Sequence, residues 1–215
     1  MRRSQSGFTL IELLIVISII GTLAAVLLPR VLETRAAANA SNDALQMRTH
    51  YSWFEIYKRK HNGSLPRKGG HKFVLSTWTS QIFPHTQENL DIFFSPGTRD
   101  GDVHYQDQRL LMAQGEDPWP DIESVTTEDT HYVGRAKKYM RTAGGDTAAW
   151  MANDNEGVWS FNDGSLNILF NGGTVRSYSY QQLIETFDLG PFDKNEPLET
   201  WGENSPIPEC TKLDN

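Results

Sequence analysis

An apolar run near the start of the chain, residues 8–28, dominates the hydrophobic pattern and carries one charge, at Glu12. Its 21 residues would rise about 30 Å as a helix, which is close to the thickness of the hydrocarbon core of a bilayer. The run is longer than the core of a secretory signal, and the nearest small-x-small triplet, residues 36–38, lies beyond Pro29. The pattern therefore predicts a membrane-spanning helix in place of a removable secretory signal.

The charges around this run indicate its direction and a use beyond anchoring. Arg2 and Arg3 precede it, so the positive-inside rule predicts a cytoplasmic N-terminus and an outward-facing remainder. A carboxylate costs about 2.5–3.5 kcal/mol near the bilayer centre and less near the interface. Because ionisable residues inside a membrane usually mark a function and a partner, Glu12 is a candidate functional residue, and a plain signal anchor is the alternative.

The helical pattern continues past Pro29 as an amphipathic segment. Apolar residues recur at three- and four-residue spacing, at Ala36, Ala40, Ala44, Met47, Tyr51 and Phe54. The opposite face is predicted to be polar, with Arg35, Asn39, Asp43 and Gln46. Three cations at residues 58–60 suit the C-terminal end of a helix, and Asn62-Gly63 is a stop signal. The prediction is one helix over residues 8–61.

The central segment, residues 64–157, has weaker patterns. Residues 72–78 and 91–94 are short apolar runs bounded by turn formers, which predicts strands or irregular packed segments. Residues 97–102 and 115–120 are predicted loops.

The C-terminal third is predicted to be mainly β-structure. Residues 159–161, 166–170 and 174–178 are strand-like, and Asn171-Gly172-Gly173 suits a tight hairpin. Ser179 and Gln182 form a capping-box pattern for a helix that ends near Phe187. The residues beyond Leu189 are predicted to be extended. The fold class is therefore α+β, with a long N-terminal helix packed on a small antiparallel sheet.

Composition and charge argue against several kinds of partner. The net charge is −7, and removal of residues 1–7 would lower it to −9, because Arg2 and Arg3 would be lost. An acidic head repels phosphates, so no nucleic-acid partner is expected. Cys210 is the one cysteine, which leaves no internal disulfide.

Catalytic and metal-binding motifs are missing from the sequence. It has no zincin spacing of histidines, no P-loop, no dinucleotide fingerprint and no G-x-S-x-G elbow. The prediction is that the protein is not an enzyme and has no cofactor. Asp154, Glu156 and Asp163 are calcium candidates, because Ca²⁺ needs several loop oxygens. A solvated turn is the alternative for these three residues.

Residues 7–12, Gly-Phe-Thr-Leu-Ile-Glu, resemble the prepilin motif of type IV pilins and type II secretion pseudopilins. The resemblance is close over about the first 30 residues and general over the next 30. It implies that a prepilin peptidase cleaves after Gly7 and methylates the new amino group of Phe8. It also implies that Glu12 pairs with the Phe8 amine of a neighbouring subunit, and that Pro29 lets the helix kink or locally melt.

Residues 167–175 resemble the closing hairpin of pseudopilin-like proteins from planctomycete-type bacteria. With the flanking positions, the resemblance covers about 15 residues. Those proteins carry a His where Asn162 stands here, an Asp where Gly172 stands, and often a Cys where Ser95 precedes Pro96. The hairpin is expected to be shared, and no role of the replaced residues is carried over.

The predicted organisation follows from these segments. It comprises a leader at residues 1–7, a membrane or filament-core helix at 8–29, an amphipathic helix packed on the head at 30–62, and a periplasmic or extracellular head at 63–215.

The predicted function is that of a pseudopilus or type IV pilus-like subunit in the inner membrane. Its expected partners are the prepilin peptidase, an inner-membrane assembly platform and other pilins or pseudopilins. The alternatives are a minor or adhesive pilin with a ligand-binding head, and a membrane-tethered binding module or enzyme that uses a prepilin-type leader.

Overall fold

The structure is a computed structural model that describes residues 8–145, 147–153, 165–189 and 200–214. A single helix, α1 (Leu10–Lys60), makes up the N-terminal part and continues without interruption through Pro29. It begins at the N-cap Thr9 and ends at the C-cap His61, where Asn62 and Gly63 adopt positive φ values of 52° and 78°. The long helix and its stop signal are therefore confirmed within two residues at each end.

Four shorter helices follow in the described part of the chain. They are α2 (His71–Thr79), α3 (Gln87–Asp91), α4 (Val103–Ala113) and α5 (Tyr180–Phe187). Short 3-10 turns at Arg99–Gly101, Thr127–Asp129, Lys137–Thr142 and Pro208–Lys212 connect the elements.

Among the described residues, five strands form one antiparallel sheet with the order β4-β3-β2-β1-β5. They are β1 (Val133–Arg135), β2 (Ala149–Ala152), β3 (Ser165–Phe170), β4 (Val175–Ser179) and β5 (Leu213–Asp214). The strands β3 and β4 form the predicted hairpin, and Gly172 and Gly173 supply its positive φ values of 92° and 81°. The sheet and the long helix confirm the α+β fold class.

Each face of the sheet has its own apolar core. The distal half of α1, together with α2, packs on one face through side chains such as Phe54, Phe73, Trp78 and Trp150. Helix α5 and residues 207–213 cover the other face, where Leu183, Ile207 and Cys210 are buried. Burial of a large apolar side chain contributes about 1.5–3 kcal/mol, so these two cores hold the head on the helix.

In the central segment, one prediction differs from the structure and several elements had no prediction. Residues 72–78, predicted as a strand or an irregular segment, belong to the helix α2. This helix is buried almost all round, from Phe73 to Trp78, so its sequence has no polar face that would reveal a helical period. The helix α4 and the strands β1 and β2 were not predicted, whereas residues 115–120 form the expected loop.

The C-terminal residues also depart from prediction. The capping box of Ser179 and Gln182 begins α5 as expected. Residues 200–214, predicted to be extended, instead pack on the sheet and end in β5, which pairs with β1. Their Ile207, Cys210 and Leu213 recur at every third position and supply the buried apolar side chains for this packing. The predicted strand at residues 159–161 lies outside the described residues.

Candidate functional site

The first turn of α1 contains Glu12, the one charge in the apolar run. The side chain of Glu12 accepts hydrogen bonds from the backbone N–H and from the hydroxyl of Thr9, at 2.9 and 2.7 Å. In return, the Glu12 N–H donates to the Thr9 oxygen at 3.3 Å. This reciprocal capping box satisfies polar groups that the first turn of a helix otherwise leaves without partners. Within a single copy of the chain, Thr9 therefore gives the Glu12 carboxylate a hydrogen-bonded environment.

The proximal part of α1 packs against nothing in the described chain. Every residue from Phe8 to Arg35 is exposed, and the exposed fraction of Phe8 reaches 80%. The large apolar side chains of this stem (residues 8–35) include Leu10, Ile11, Leu14, Ile19, Leu23, Leu27 and Leu32. A contiguous apolar surface of this extent marks a membrane or protein contact site.

The length of the stem and the internal hydrogen bonds of its hydroxyl groups both suit a membrane. Its most apolar window has a mean hydropathy of 2.7, in a helix long enough to cross a bilayer. The hydroxyls of Ser18, Thr22 and Thr34 donate to backbone carbonyls three or four residues earlier in the same helix. No hydroxyl of these three is thus left without a hydrogen bond, as a hydrocarbon environment requires.

Asp43 joins the helix to the head and corrects one sequence expectation. It belongs to the face that is predicted to be polar, opposite the apolar stripe, yet its exposed fraction is 0%. Its carboxylate accepts from the Tyr132 hydroxyl at 2.7 Å and from the Asn167 amide at 2.6 Å. The helix lies in a concave surface formed by the sheet and the segment after α3, so the head covers this face as well as the apolar stripe.

Burial changes the acid–base properties of this junction. Asp43 lies in the head, well beyond the membrane-spanning part of α1. Loss of hydration raises the pKa of its carboxyl to about 6, although the hydrogen bonds from Asn167 and Tyr132 act in the opposite direction. Two turns later, burial lowers the pKa of His50 to about 3, and its Nε2 donates to the Ile92 carbonyl at 3.0 Å.

Another buried histidine organises the loop that leads to α4. His131 accepts a hydrogen bond at Nδ1 from the Ser95 backbone N–H at 3.0 Å and donates from Nε2 to Asp102 at 2.6 Å. The Ser95 hydroxyl contacts Asp43, and Asp102 caps α4 through the Tyr105 N–H. These groups have structural partners, and their arrangement fixes the loop against the helix.

The calcium candidates Asp154, Glu156 and Asp163 lie outside the described residues, as do Gly7 and the scissile bond that follows it. Within the described ranges, no group of three or more His, Cys, Asp or Glu side chains could hold a metal ion. A calcium site therefore remains a prediction from the sequence.

The comparisons with known proteins agree with the position of this site. The family model of the prokaryotic N-terminal methylation motif matches residues 2–28. The chain is also 51% identical over 55 residues to the type IV wide pilus major component PilA4 of Thermus thermophilus. This match covers 23% of the chain and 42% of the relative, which is less than half of that protein. No solved structure matches the chain.

The motif match contains the segment in which Phe8, Thr9 and Glu12 precede an exposed apolar helix, and the head has an α+β architecture consistent with the pilin fold. Over its N-terminal segment, the chain is similar to type IV pilins.

Proposed function

We propose that the protein is a structural subunit of a type II secretion pseudopilus or a related type IV pilus-like filament. A prepilin peptidase would cut after Gly7 and methylate the Phe8 amine. The stem would then hold the subunit in the membrane until it is inserted into the filament. The acidic heads would form the outer surface of that filament, and the protein would have no enzymatic role.

The observation that carries this proposal is the exposed apolar stem with one carboxylate near its start. Fourteen of the exposed large apolar residues lie between Leu10 and Val31, and an apolar surface of this size requires lipid or protein around it. A lipid anchor alone gives no reason for Glu12. A bundle of identical stems uses both features, since apolar contacts hold the bundle together while the charge specifies the register.

Processing would create a cationic partner for Glu12, which in a single copy accepts hydrogen bonds from Thr9. Cleavage after Gly7 leaves a cationic amine on Phe8, four residues before Glu12. A buried carboxylate becomes tolerable when a cationic hydrogen-bond donor is placed beside it. We assign that role to the Phe8 amine of a neighbouring subunit. The N-terminus would face the cytoplasm, the head would lie outside the inner membrane, and an assembly platform in that membrane would insert each subunit.

Mass spectrometry of the full-length protein, extracted from membranes of cells that contain a prepilin peptidase, tests the processing step. The expected chain begins at Phe8 and carries one additional methyl group. Gly7→Val should leave the leader attached, whereas Gly21→Ala should be processed normally, because a side chain at residue 21 meets open space. An intact Met1 in the wild-type protein, or a cut near Ala38, would overturn the proposal.

A deletion strain distinguishes the two kinds of filament. If the deletion strain no longer secretes its proteins but still attaches to surfaces, the filament is a pseudopilus. If it secretes normally but no longer attaches, the filament is a pilus. Filaments that still form in the deletion strain would identify a minor subunit.

A further inference from the structure

The end of α1 farthest from Phe8 opens onto a groove of about 550 Å³. We call this surface the basic groove. Its floor includes the half-buried apolar side chains of Leu65 and Ile122. Its rim carries three cations, Lys60, Arg67 and Lys68. The groove thus combines an apolar centre with a charged edge, as protein interfaces do.

The groove belongs to a segment whose charge is opposite to that of the whole chain. Residues 56–87 contain no Asp or Glu and include the cations Lys58, Arg59, Lys60, Arg67, Lys68 and Lys72, whereas the chain has a net charge of −7. Lys68 and Lys72 both pair with Glu123, and Lys60 donates to the Gln81 carbonyl at 3.2 Å. Arg67 is exposed and has no ion pair with the described residues, so its charge is available to a partner.

An acidic ridge lies elsewhere on the head, on the outer face of α4. Val103, Asp107 and Leu110 follow one another at helical spacing and share that face. Val103 and Leu110 are 71% and 57% exposed, which is unusual for large apolar residues of a head with two well-packed cores. Asp100 and Glu128 lie near the ridge and contact Arg99 at 3.7 Å and His104 at 2.8 Å, whereas Asp107 has no ion pair with the described residues and is the carboxylate open to a partner. We call this surface the α4 ridge.

The two surfaces lie at different heights along α1. Helix α4 is connected to α1 through Asp91, which accepts from the Tyr105 hydroxyl at 2.9 Å and whose backbone carbonyl accepts from Gln46 at 3.4 Å. The groove begins eleven residues later, at Tyr57, which is about 16 Å farther along the helix axis. The two charged surfaces therefore lie at different positions along α1. The acidic ridge is nearer the stem, and the basic groove is at the far end of the helix.

We propose that the α4 ridge of one copy docks into the basic groove of a second copy, with Asp107 facing Arg67. This inference rests on the filament role and names the contact that the heads make. The groove and the ridge are different surfaces at different positions along α1. Each copy can therefore dock its ridge into one neighbour and accept the ridge of another neighbour in its groove. Such a heterologous contact propagates from copy to copy and does not close on itself. The complementary charges of groove and ridge would favour the parallel, staggered arrangement and disfavour antiparallel pairs.

Crosslinking of the full-length protein in membranes tests the contact. Ser64→Cys places a thiol at the groove, and Gln106→Cys places one beside the ridge, and both positions are exposed and uncharged. Cys210 is fully buried, so the wild-type chain serves as the unreactive control. With a short bis-maleimide, a mixture of the two variants should give a crosslinked dimer, and either variant alone should not.

Charge reversal then tests the pairing. Arg67→Glu or Asp107→Lys in the cysteine background should reduce the dimer about three- to tenfold, and the two reversals together should restore most of it. Arg141→Glu removes an exposed cation outside the groove and should leave the yield unchanged. Raising the salt concentration from about 0.05 to about 0.5 M should reduce the wild-type yield, because exposed charges are screened.

The outcomes separate this contact from the filament proposal. A dimer of equal yield from one cysteine variant alone would overturn the heterologous contact. Filaments without the mixed dimer would overturn the docking and leave the filament role intact. A mixed dimer that depends on charge, in cells that form no filament, would support the docking and count against the filament role.

Discussion

The amide of Asn167, on strand β3, donates to the carboxylate of Asp43 on α1 at 2.6 Å. The same amide donates to the Ala40 carbonyl at 3.1 Å, so one strand residue holds two successive turns of the helix. The Tyr132 hydroxyl approaches Asp43 from the segment before β1 and lies 2.9 Å from the Gln46 side-chain oxygen, so its single proton can be donated to either acceptor. The distal half of α1 is thus fixed to the head by buried hydrogen bonds as well as by apolar packing.

The first prediction concerns the charge at this junction. Burial raises the pKa of Asp43 from 3.8 to about 6. Between these values the folded chain binds more protons than the unfolded chain, so the contribution of this group is fully present below pH 3.8 and is lost as the pH rises through about 6. Asp43→Asn removes the titration. Its amide oxygen can still accept from Asn167, and its amide N–H can donate to the Tyr132 oxygen while the Tyr132 hydroxyl donates to Gln46.

Asp43→Asn should therefore become more stable relative to the wild type as the pH rises from 4 to 7, by up to about 3 kcal/mol. Urea unfolding of the full-length chain in detergent at several pH values measures this difference. A difference that does not change with pH would contradict the buried, proton-binding state of Asp43. Asp43→Ala, which leaves Tyr132 and Asn167 without their partner, should be less stable at every pH.

The second prediction has the opposite sign and concerns His50. Burial lowers its pKa from 6.5 to about 3, so the unfolded chain binds the additional proton over this range. The stability that neutral His50 contributes is present above pH 6.5 and is lost as the pH falls towards 3. His50→Gln keeps a donor for the Ile92 carbonyl and does not titrate.

The stability of the wild type should thus fall relative to His50→Gln between pH 7 and pH 4, by about 3 kcal/mol. The same urea experiment measures this difference in unfolding free energy. At pH 7 the difference also includes the loss of ring contacts with Trp53, Phe93 and Tyr132 in the variant. A constant difference between the two proteins would show that His50 is protonated equally in both states.

The third prediction uses the two adjacent glycines of the hairpin. Both have positive φ, so alanine is strained at either position. A Cβ on Gly172 meets open space, but one on Gly173 would lie 2.9 Å from the Tyr51 ring, which stacks on Trp150. Gly173→Ala should therefore cost about 1–3 kcal/mol more than Gly172→Ala in urea unfolding. Equal costs would mean that Tyr51 moves aside without loss of packing.

The parts of the fold that were predictable depend on local rules. The stop at Asn62-Gly63, the turn at Gly172-Gly173 and the cap at Ser179 each use a few neighbouring residues, and all three were located from the sequence. The helix α2 was not predicted, because its burial on nearly every side conceals the helical period. The short strands β1 and β2, with three and four residues, carry too little pattern to be recognised alone.

The candidate site was predictable to a similar degree. The apolar run and Glu12 mark the stem directly, whereas the role of Asp43 depends on Asn167 and Tyr132, which lie 124 and 89 residues away. Only the Thr-x-x-Glu spacing of residues 9–12 could have indicated the capping box in advance.

The last prediction separates the two possible partners of Glu12. In a single copy, Thr9 donates to its carboxylate, and in the proposed filament the Phe8 amine of a neighbour would do so. Glu12→Gln keeps an acceptor for Thr9, since Gln also serves in a capping box, but it removes the negative charge. Thr9→Val has the opposite effect, because it removes the hydroxyl of the cap, at a cost of about 1 kcal/mol, and keeps the charge. Loss of one partner from a buried ion pair costs about 3–5 kcal/mol.

If the charge pairs between subunits, Glu12→Gln should be present in the membrane at the wild-type level and yield less than about a tenth of the sheared filament. Thr9→Val should retain most of its filaments. Gel analysis of sheared and membrane fractions, with electron microscopy of the sheared material, measures both. Normal filaments from Glu12→Gln together with their loss in Thr9→Val would reverse the assignment, and the cap within one subunit would then be what assembly requires.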